Sequence, residues 1–279
     1  MDSSYLYSIT NKIELENIPQ QWKNINFDRF SESKTLYPYQ KEALEQTLKV
    51  LFQYYNNFQQ KEIREIKESF LALAKNQYND SFLTKEQAQK HFAYTDQSSK
   101  AYEILEEYFQ AEYGKLPAYN FINRMCFWMA TGSGKSIVLI KLIELLQDLM
   151  KGELIPSCDI LFLTHRQDLI EQLKTHIKEF NTYSRQERGF ELIARELKEL
   201  PERKIANEAF KDYFIDVYYY RSDLISDVQK ENIINFKNYD NDGNWYVILD
   251  EAHKGDRDES KRKQYYNILS RNGFLFNFS

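Results

Sequence analysis

The feature that most constrains the fold is a short glycine loop set between an apolar run and a helical pattern. The loop reads Met129-Ala130-Thr131-Gly132-Ser133-Gly134-Lys135-Ser136, after the apolar run 125–129 and before the helical pattern 137–150. Strand, glycine loop and helix in this order are the context that a phosphate-binding loop requires. The two glycines let the backbone curl so that N–H groups face phosphate oxygens, and the helix N-terminus adds a positive dipole.

The side chains of the loop predict a site for ATP and Mg²⁺. We expect the segment Thr131-Gly132-Ser133-Gly134 to surround the phosphates, Lys135 to reach the β- and γ-phosphates, and the Ser136 hydroxyl to ligate Mg²⁺. The general pattern places a further glycine at the position of Met129, which this chain lacks. A turn that merely precedes a helix is therefore the alternative interpretation of the loop taken alone.

A second motif follows a fully apolar run near the end of the chain. Residues 245–249 lead into Asp250-Glu251-Ala252-His253, which places two carboxylates at the carboxyl end of a predicted strand, where parallel sheets bind ligands. We expect Asp250 to hold Mg²⁺ through water beside Ser136, Glu251 to orient and deprotonate the attacking water, and His253 to relay that state to a partner surface. An acidic turn after a strand is the simpler alternative.

Strands and helices alternate from residue 121 onward. The pattern predicts strands at 159–163, 215–219, 245–249 and 273–278, and helices at 167–180, 191–200 and 221–236. Such alternation predicts an α/β fold in which helices cover both faces of a parallel sheet.

The first part of the chain is organised differently. Residues 1–35 are predicted to be an extension across the surface of the main domain, and Pro38 suits a helix start. Residues 52–118 contain several helical patterns, at 61–76, from Thr84 and at 101–113, which we interpret as a helical insertion or subdomain. Gln40 is either an exposed amide at a helix N-terminus or a group that reads the adenine edge, since an amide both donates and accepts.

Composition narrows the class of protein. The 279 residues carry a net charge of −5, which argues against a strongly basic nucleic-acid module but allows a local basic groove. No apolar run reaches the roughly 18 residues of a membrane span, and the first residues lack the basic-then-apolar pattern of a signal segment, so we expect neither feature. Cys126 and Cys158 are predicted to be buried thiols without metal spacing, which fits a reducing cytoplasm.

Together these motifs resemble those of the superfamily 2 helicases and translocases. The glycine loop and Asp250-Glu251-Ala252-His253 resemble motifs I and II of DEAD/DEAH-box proteins, and 162–172 resembles motif Ia. The closest resemblance is to the motor (Res) subunit of type III restriction enzymes. It implies a RecA-like domain formed by 36–51 and 119–279, with Gln40 on the adenine.

The resemblance also implies a function. We expect the ATP-binding motor domain of a DNA-dependent ATPase or translocase, in a restriction enzyme or related defence system, with Thr164, His165 and Arg166 on the nucleic-acid backbone. The implied partners are double-stranded DNA and a modification or specificity subunit.

Members of this family continue into a second RecA-like domain that supplies arginine fingers. An arginine finger increases turnover by roughly 10³–10⁵ in related reactions, so the chain by itself is expected to hydrolyse ATP weakly. An RNA helicase or remodelling ATPase of the same fold, and a nucleotide-binding regulatory module without turnover, are the alternatives.

Overall fold

A six-stranded parallel sheet forms the centre of the computed structural model, which describes residues 10–78, 100–130, 132–205, 213–250 and 261–279. Its strands are β1 (Arg124–Phe127), β2 (Asp159–Thr164), β3 (Glu191–Glu196), β4 (Phe214–Arg221), β7 (Trp245–Asp250) and β8 (Phe274–Phe278). Two short strands, β5 (Ile225–Ser226) and β6 (Ile234–Asn235), pair in a separate parallel ladder. The order across the large sheet is β1-β8-β7-β2-β4-β3, with every pair parallel. The predicted α/β fold with a parallel sheet is confirmed.

Helices connect these strands and precede them. The described helices are α1 (Pro38–Tyr55), α2 (Ile63–Tyr78), α3 (Lys100–Glu106), α4 (Lys135–Lys151), α5 (Gln167–Glu187), α6 (Leu200–Ile205) and α7 (Lys261–Leu269). Short 3₁₀ turns lie at Leu15–Asn17, Gln20–Trp22, Phe58–Gln60, Ala118–Phe121, Leu197–Glu199, Ser222–Leu224, Phe236–Tyr239 and Asn241–Gly243. Pro38 occupies the first position of α1, where its missing N–H has no intrahelical partner to lose.

The two faces of the sheet are both buried, as the sequence pattern predicts. Along β7, Tyr246 and Ile248 belong to one hydrophobic cluster, while Trp245, Val247 and Leu249 belong to the other. This alternation follows from the two-residue period of a strand. The first cluster packs against α1, α4 and α5, and the second against α3, α6 and α7.

The N-terminal segment and the helical block both contribute to these clusters. Trp22 and Phe30 are buried in the first cluster, and the Lys34 ammonium donates to Glu179 of α5 at 2.6 Å. From the helical block, Phe70 joins the first cluster and Leu105 joins the second. The segment that Thr84 was predicted to open lies outside the described residues.

Three predicted helices differ from the structure. Residues 191–200 were predicted to be helical, but Glu191–Glu196 forms edge strand β3, and α6 begins only at Leu200. Residues 221–236 form a 3₁₀ turn and the short strands β5 and β6. The pattern at 101–113 ends as an α-helix at Glu106.

The two cysteines differ in solvent exposure. Cys158 is buried as predicted, but Cys126 is exposed, so the prediction of a second buried thiol is wrong. Cys126 lies on edge strand β1, between the buried residues Met125 and Phe127, whose side chains are on the opposite face of the strand. None of the helices in the described ranges combines the length and hydropathy that a membrane-spanning segment requires.

Candidate functional site

The parallel sheet places the glycine loop and Asp250 at the same edge. The loop follows β1, and Asp250 is the last residue of β7, with β8 between them. In the ladder Phe127 and Asp250 both pair with Phe278, so the three residues lie in one row across the sheet. Carboxyl ends of parallel strands share one edge, and this register brings the two sequence motifs to the same level.

The loop adopts the conformation that its glycines make accessible. Gly132 and Gly134 have φ values of +81° and +77°, a region that residues with a Cβ adopt at a cost. The Ser133 N–H donates to the Ala130 carbonyl at 3.1 Å, and the Ile137 N–H donates to the Gly134 carbonyl at 3.0 Å as α4 begins. A tight turn therefore leads directly into a helix N-terminus.

The residues of this turn fit a bound polyphosphate. Lys135 and Ser136 are the first two residues of α4, where an anion is favoured by both the N–H groups and the helix dipole. The Ser133 hydroxyl oxygen is buried and has no hydrogen-bond partner among the described residues, so it can donate to a phosphate oxygen. Thr131 lies outside the described residues.

Gln40 is placed against the loop and not at an open surface. Only 1% of the residue is exposed. Its Oε1 accepts from the Tyr37 N–H at 2.9 Å, and its Nε2 donates to the Ser133 carbonyl at 2.9 Å. Both ends of the amide therefore bind backbone atoms, and contact with an adenine edge stays a prediction.

Two tyrosines beside Gln40 were missed by the sequence interpretation. The rings of Tyr37 and Tyr39 stack with centroids 5.8 Å apart, and both are exposed, at 64% and 46%. The Tyr39 hydroxyl donates to the Ser133 carbonyl at 2.8 Å. The predicted helix start at Pro38 was enough to place both tyrosines near the first turn. The contact with the loop could not be predicted, because it joins residues 94 positions apart and has no local sequence signal.

The Mg²⁺ ligands predicted from the sequence are compatible with the structure. Asp250 is 7% exposed at the end of β7, and Ser136 lies in the first turn of α4. The described part of the chain holds no cluster of three or more potential metal-binding side chains. Mg²⁺ is commonly held by one or two protein oxygens together with substrate phosphates, so a hydroxyl and a carboxylate have the donor chemistry that this ion takes, and the assignment of Ser136 and Asp250 stays a prediction. Glu251 and His253 lie outside the described residues.

The predicted nucleic-acid contacts follow β2 at the same edge. Thr164 is fully buried, and its hydroxyl accepts from the Arg166 N–H at 3.5 Å. The Arg166 guanidinium binds both carboxylate oxygens of Asp168, with an Nε–Oδ1 distance of 2.9 Å, and these bonds lower the pKa of the Asp168 carboxyl. His165 is partly buried, and its Nδ1 has no hydrogen-bond partner in the described ranges.

Comparison with known proteins identifies one family. No curated protein and no solved structure matches the chain. The family described as "Type III restriction enzyme, res subunit" matches residues 33–279, which is most of the chain. The match includes every element that forms the sheet edge described above. The chain therefore belongs to the type III restriction enzyme res subunit family, and its fold is that of a helicase-like ATP-binding motor domain.

Proposed function

We propose that this chain is the ATP-binding motor domain of a DNA-dependent ATPase that moves along double-stranded DNA, in a restriction enzyme or related defence system. The observation that carries the proposal is the register of the sheet, which brings the glycine loop and Asp250 to one edge on either side of β8. Family membership supports ATP hydrolysis and a nucleic-acid substrate, and DNA is the finer choice proposed here.

Each residue of the proposed nucleotide site has a separate role. Thr131 and the glycine turn donate backbone N–H groups to the phosphates, and the Lys135 ammonium neutralises their charge. Ser136 and Asp250 would hold Mg²⁺, which when bound neutralises charge on the phosphate oxygens. Glu251 orients the attacking water and accepts its proton, and His253 relays the state of the site.

The nucleic-acid contacts are proposed at the end of β2. Arg166 precedes α5 directly and is exposed, and its carboxylate partner is an exposed side chain, which a phosphate can replace at low cost. His165 and Thr164 come just before it. Contacts to phosphates carry no base information, so binding is expected to be independent of sequence and sensitive to salt.

Calorimetry with Mg-ATP tests the nucleotide site. Lys135→Ala is expected to weaken binding by roughly ten- to a hundredfold, because a charge-assisted hydrogen bond to phosphate is lost. Lys151→Ala is the matched control, since Lys151 is the exposed last residue of the same helix. Equal affinity in the two variants, or no binding by the unmodified chain, would overturn the proposed nucleotide site.

Binding of labelled duplex DNA and duplex RNA tests the choice of nucleic acid. Arg166→Ala is expected to weaken DNA binding and to reduce its salt dependence, because one phosphate contact is lost. Arg185→Ala is the control, because Arg185 is also exposed and paired with a carboxylate, at the other end of α5. Stronger binding of RNA than of DNA would replace the translocase proposal with an RNA helicase.

A further inference from the structure

Strand β3 is an edge of the six-stranded sheet. Among the described strands, β4 alone pairs with it. In a parallel ladder the backbone groups of alternate residues bind the neighbouring strand. The Glu191 N–H donates to the Tyr213 carbonyl at 2.8 Å, so Glu191 faces β4, and the N–H and C=O of Leu192 face away from it. Outward-facing backbone groups of this kind are a template on which another strand can pair.

The side chain of Asn181 occupies this template at Leu192. Asn181 lies on α5, and its Nδ2 donates to the Leu192 carbonyl at 2.9 Å. Its Oδ1 accepts from the Leu192 N–H, also at 2.9 Å. Two residues that face each other in an antiparallel hydrogen-bonded pair exchange the same two bonds. One side-chain amide therefore satisfies both backbone groups that an added strand would use.

The far end of β3 is also bound by a side chain. By the two-residue period of a strand, Ala194 and Glu196 have the same backbone orientation as Leu192. The Glu196 N–H donates to the Glu199 Oε1 at 2.9 Å. Side chains of this chain therefore bind the outward-facing backbone on both sides of Ala194.

We propose that Asn181 is an edge cap, which keeps the free edge of β3 from pairing with the β3 edge of a second copy of this chain. Identical edges can pair antiparallel about a two-fold axis. With the axis beside Ala194, the hydrogen-bonded positions are Ala194 with Ala194 and Leu192 with Glu196. The two residues that side chains already bind are the ones that such a pair would need. This inference does not depend on the proposed function.

Charge on the edge does not replace the cap. Charged side chains protect an edge strand when they repel or obstruct a second strand. The Glu191 carboxylate lies 2.7 Å from the Arg185 guanidinium, and the Arg195 guanidinium lies 2.6 Å from the Asp216 carboxylate. Both charges of the strand are therefore paired within the chain, and the hydrogen bonds to the backbone are the more direct obstacle to pairing.

Sedimentation velocity over a concentration series tests the cap. Asn181→Ala removes both bonds to Leu192, so it should dimerise at a concentration roughly tenfold lower than the unmodified chain, because neither copy has to break these bonds to pair. Thr182→Ala is the matched control. Thr182 is the next residue of α5, and its hydroxyl binds the Glu179 carbonyl within the same helix, so its loss leaves β3 untouched.

Proline at position 194 identifies the surface through which the copies associate. Ala194→Pro removes the outward-facing N–H at the centre of the pair but no donor to β4, and edge strands tolerate proline at such positions. Added to Asn181→Ala, it should return association to the level of the unmodified chain. Association that Ala194→Pro does not reverse, or equal association of Asn181→Ala and Thr182→Ala, would overturn the proposal.

Amide hydrogen exchange of Leu192, measured by NMR, keeps the proposal testable if Asn181→Ala does not fold. In the unmodified chain the Leu192 N–H should exchange at least roughly tenfold more slowly than the same amide in an unstructured peptide, because the Asn181 Oδ1 holds it. Thr182→Ala should keep this protection. A Leu192 N–H that exchanges freely in the unmodified chain would show that the cap does not form, and the proposal would be wrong.

Discussion

Replacing Gly134 by alanine should destabilise the fold more than the same change at Gly132, although both glycines have positive φ. The new Cβ at Gly134 would lie 2.5 Å from the Gln40 Nε2, whereas a Cβ at Gly132 would meet no atom within 4 Å. The two positions therefore share backbone strain and differ in the clash. Gly132→Ala is the matched control.

The sizes of the two effects follow from these contacts. Left-handed backbone costs an alanine about 1–2 kcal/mol, and the reduced freedom of the unfolded chain offsets roughly 0.4–1 kcal/mol of this. Gly132→Ala should therefore lower the free energy of unfolding by about 1 kcal/mol. Gly134→Ala also displaces Gln40, whose two hydrogen bonds contribute about 0.5–1.5 kcal/mol each, so its total should be about 2–4 kcal/mol.

Urea unfolding of the two variants measures this difference, and a double-mutant cycle locates its cause. In a Gln40→Ala background the extra cost of Gly134→Ala should disappear, because the atom that the Cβ meets is absent. Equal destabilisation by the two glycine variants would refute the reasoning. So would an extra cost that persists without the Gln40 amide, since the clash would then have another partner.

Three other predictions use groups away from the site. In native protein a maleimide should label exposed Cys126 but spare Cys158 until the chain unfolds, because burial raises the pKa of the Cys158 thiol to about 12; equal labelling rates would contradict this. Burial is the main reason that the pKa of Lys67 falls to about 7, and the positive charges of two nearby arginines contribute less. Between about pH 7 and 10 the folded chain therefore binds fewer protons than the unfolded chain, so the free energy of unfolding should rise with pH. Lys67→Met removes this protonation cost but also the hydrogen bond from the Lys67 ammonium to the Arg271 carbonyl, so its effect on the melting temperature should become less favourable from about pH 6 to pH 10. An effect independent of pH would refute this. Lys141 and Glu144 form a fully buried ion pair, and the Arg188 guanidinium lies 3.0 Å from the same carboxylate, so Glu144→Leu should cost about 3–5 kcal/mol in urea unfolding. Adding Lys141→Met should recover part of that loss, because Arg188 keeps Asp148 as a partner; no recovery would refute this.

The elements that depend on local pattern could be predicted from the sequence. The strands at 159–163 and 245–249 are short apolar runs bounded by polar turns, and both lie in the centre of the sheet. The helix after the glycine loop has an apolar face that packs in the first cluster. For these segments, the burial implied by the pattern and the burial in the structure agree.

Edge strand β3 could not be predicted in this way. Glu191–Glu196 contains mainly good helix formers and buries only Leu192 fully. Its strand conformation comes from the ladder with β4 and from the partly buried Arg195–Asp216 ion pair. These partners are set by the tertiary fold, which overrides local propensity at an edge.

The candidate site also contains features that depend on local sequence and features that depend on tertiary contacts. Gly132, Gly134 and Asp250 are found at the predicted edge because motif and strand position determine where they lie. The contact of Tyr39 with Ser133 could not be predicted, since it requires the first turn of α1 to lie against a loop far away in sequence. Exposure of Cys126 likewise depends on β1 being an edge strand, which strand order alone decides.

The position of β8 sets the spacing of the two strand ends that carry the glycine loop and Asp250. Neighbouring strands lie about 4.8 Å apart, so with β8 between them the axes of β1 and β7 are roughly 9–10 Å apart. If β1 and β7 were adjacent, the strand ends that carry the loop and Asp250 would be about half as far apart. Strand order therefore sets the lateral distance between the strand ends from which the glycine loop and the Asp250 side chain extend.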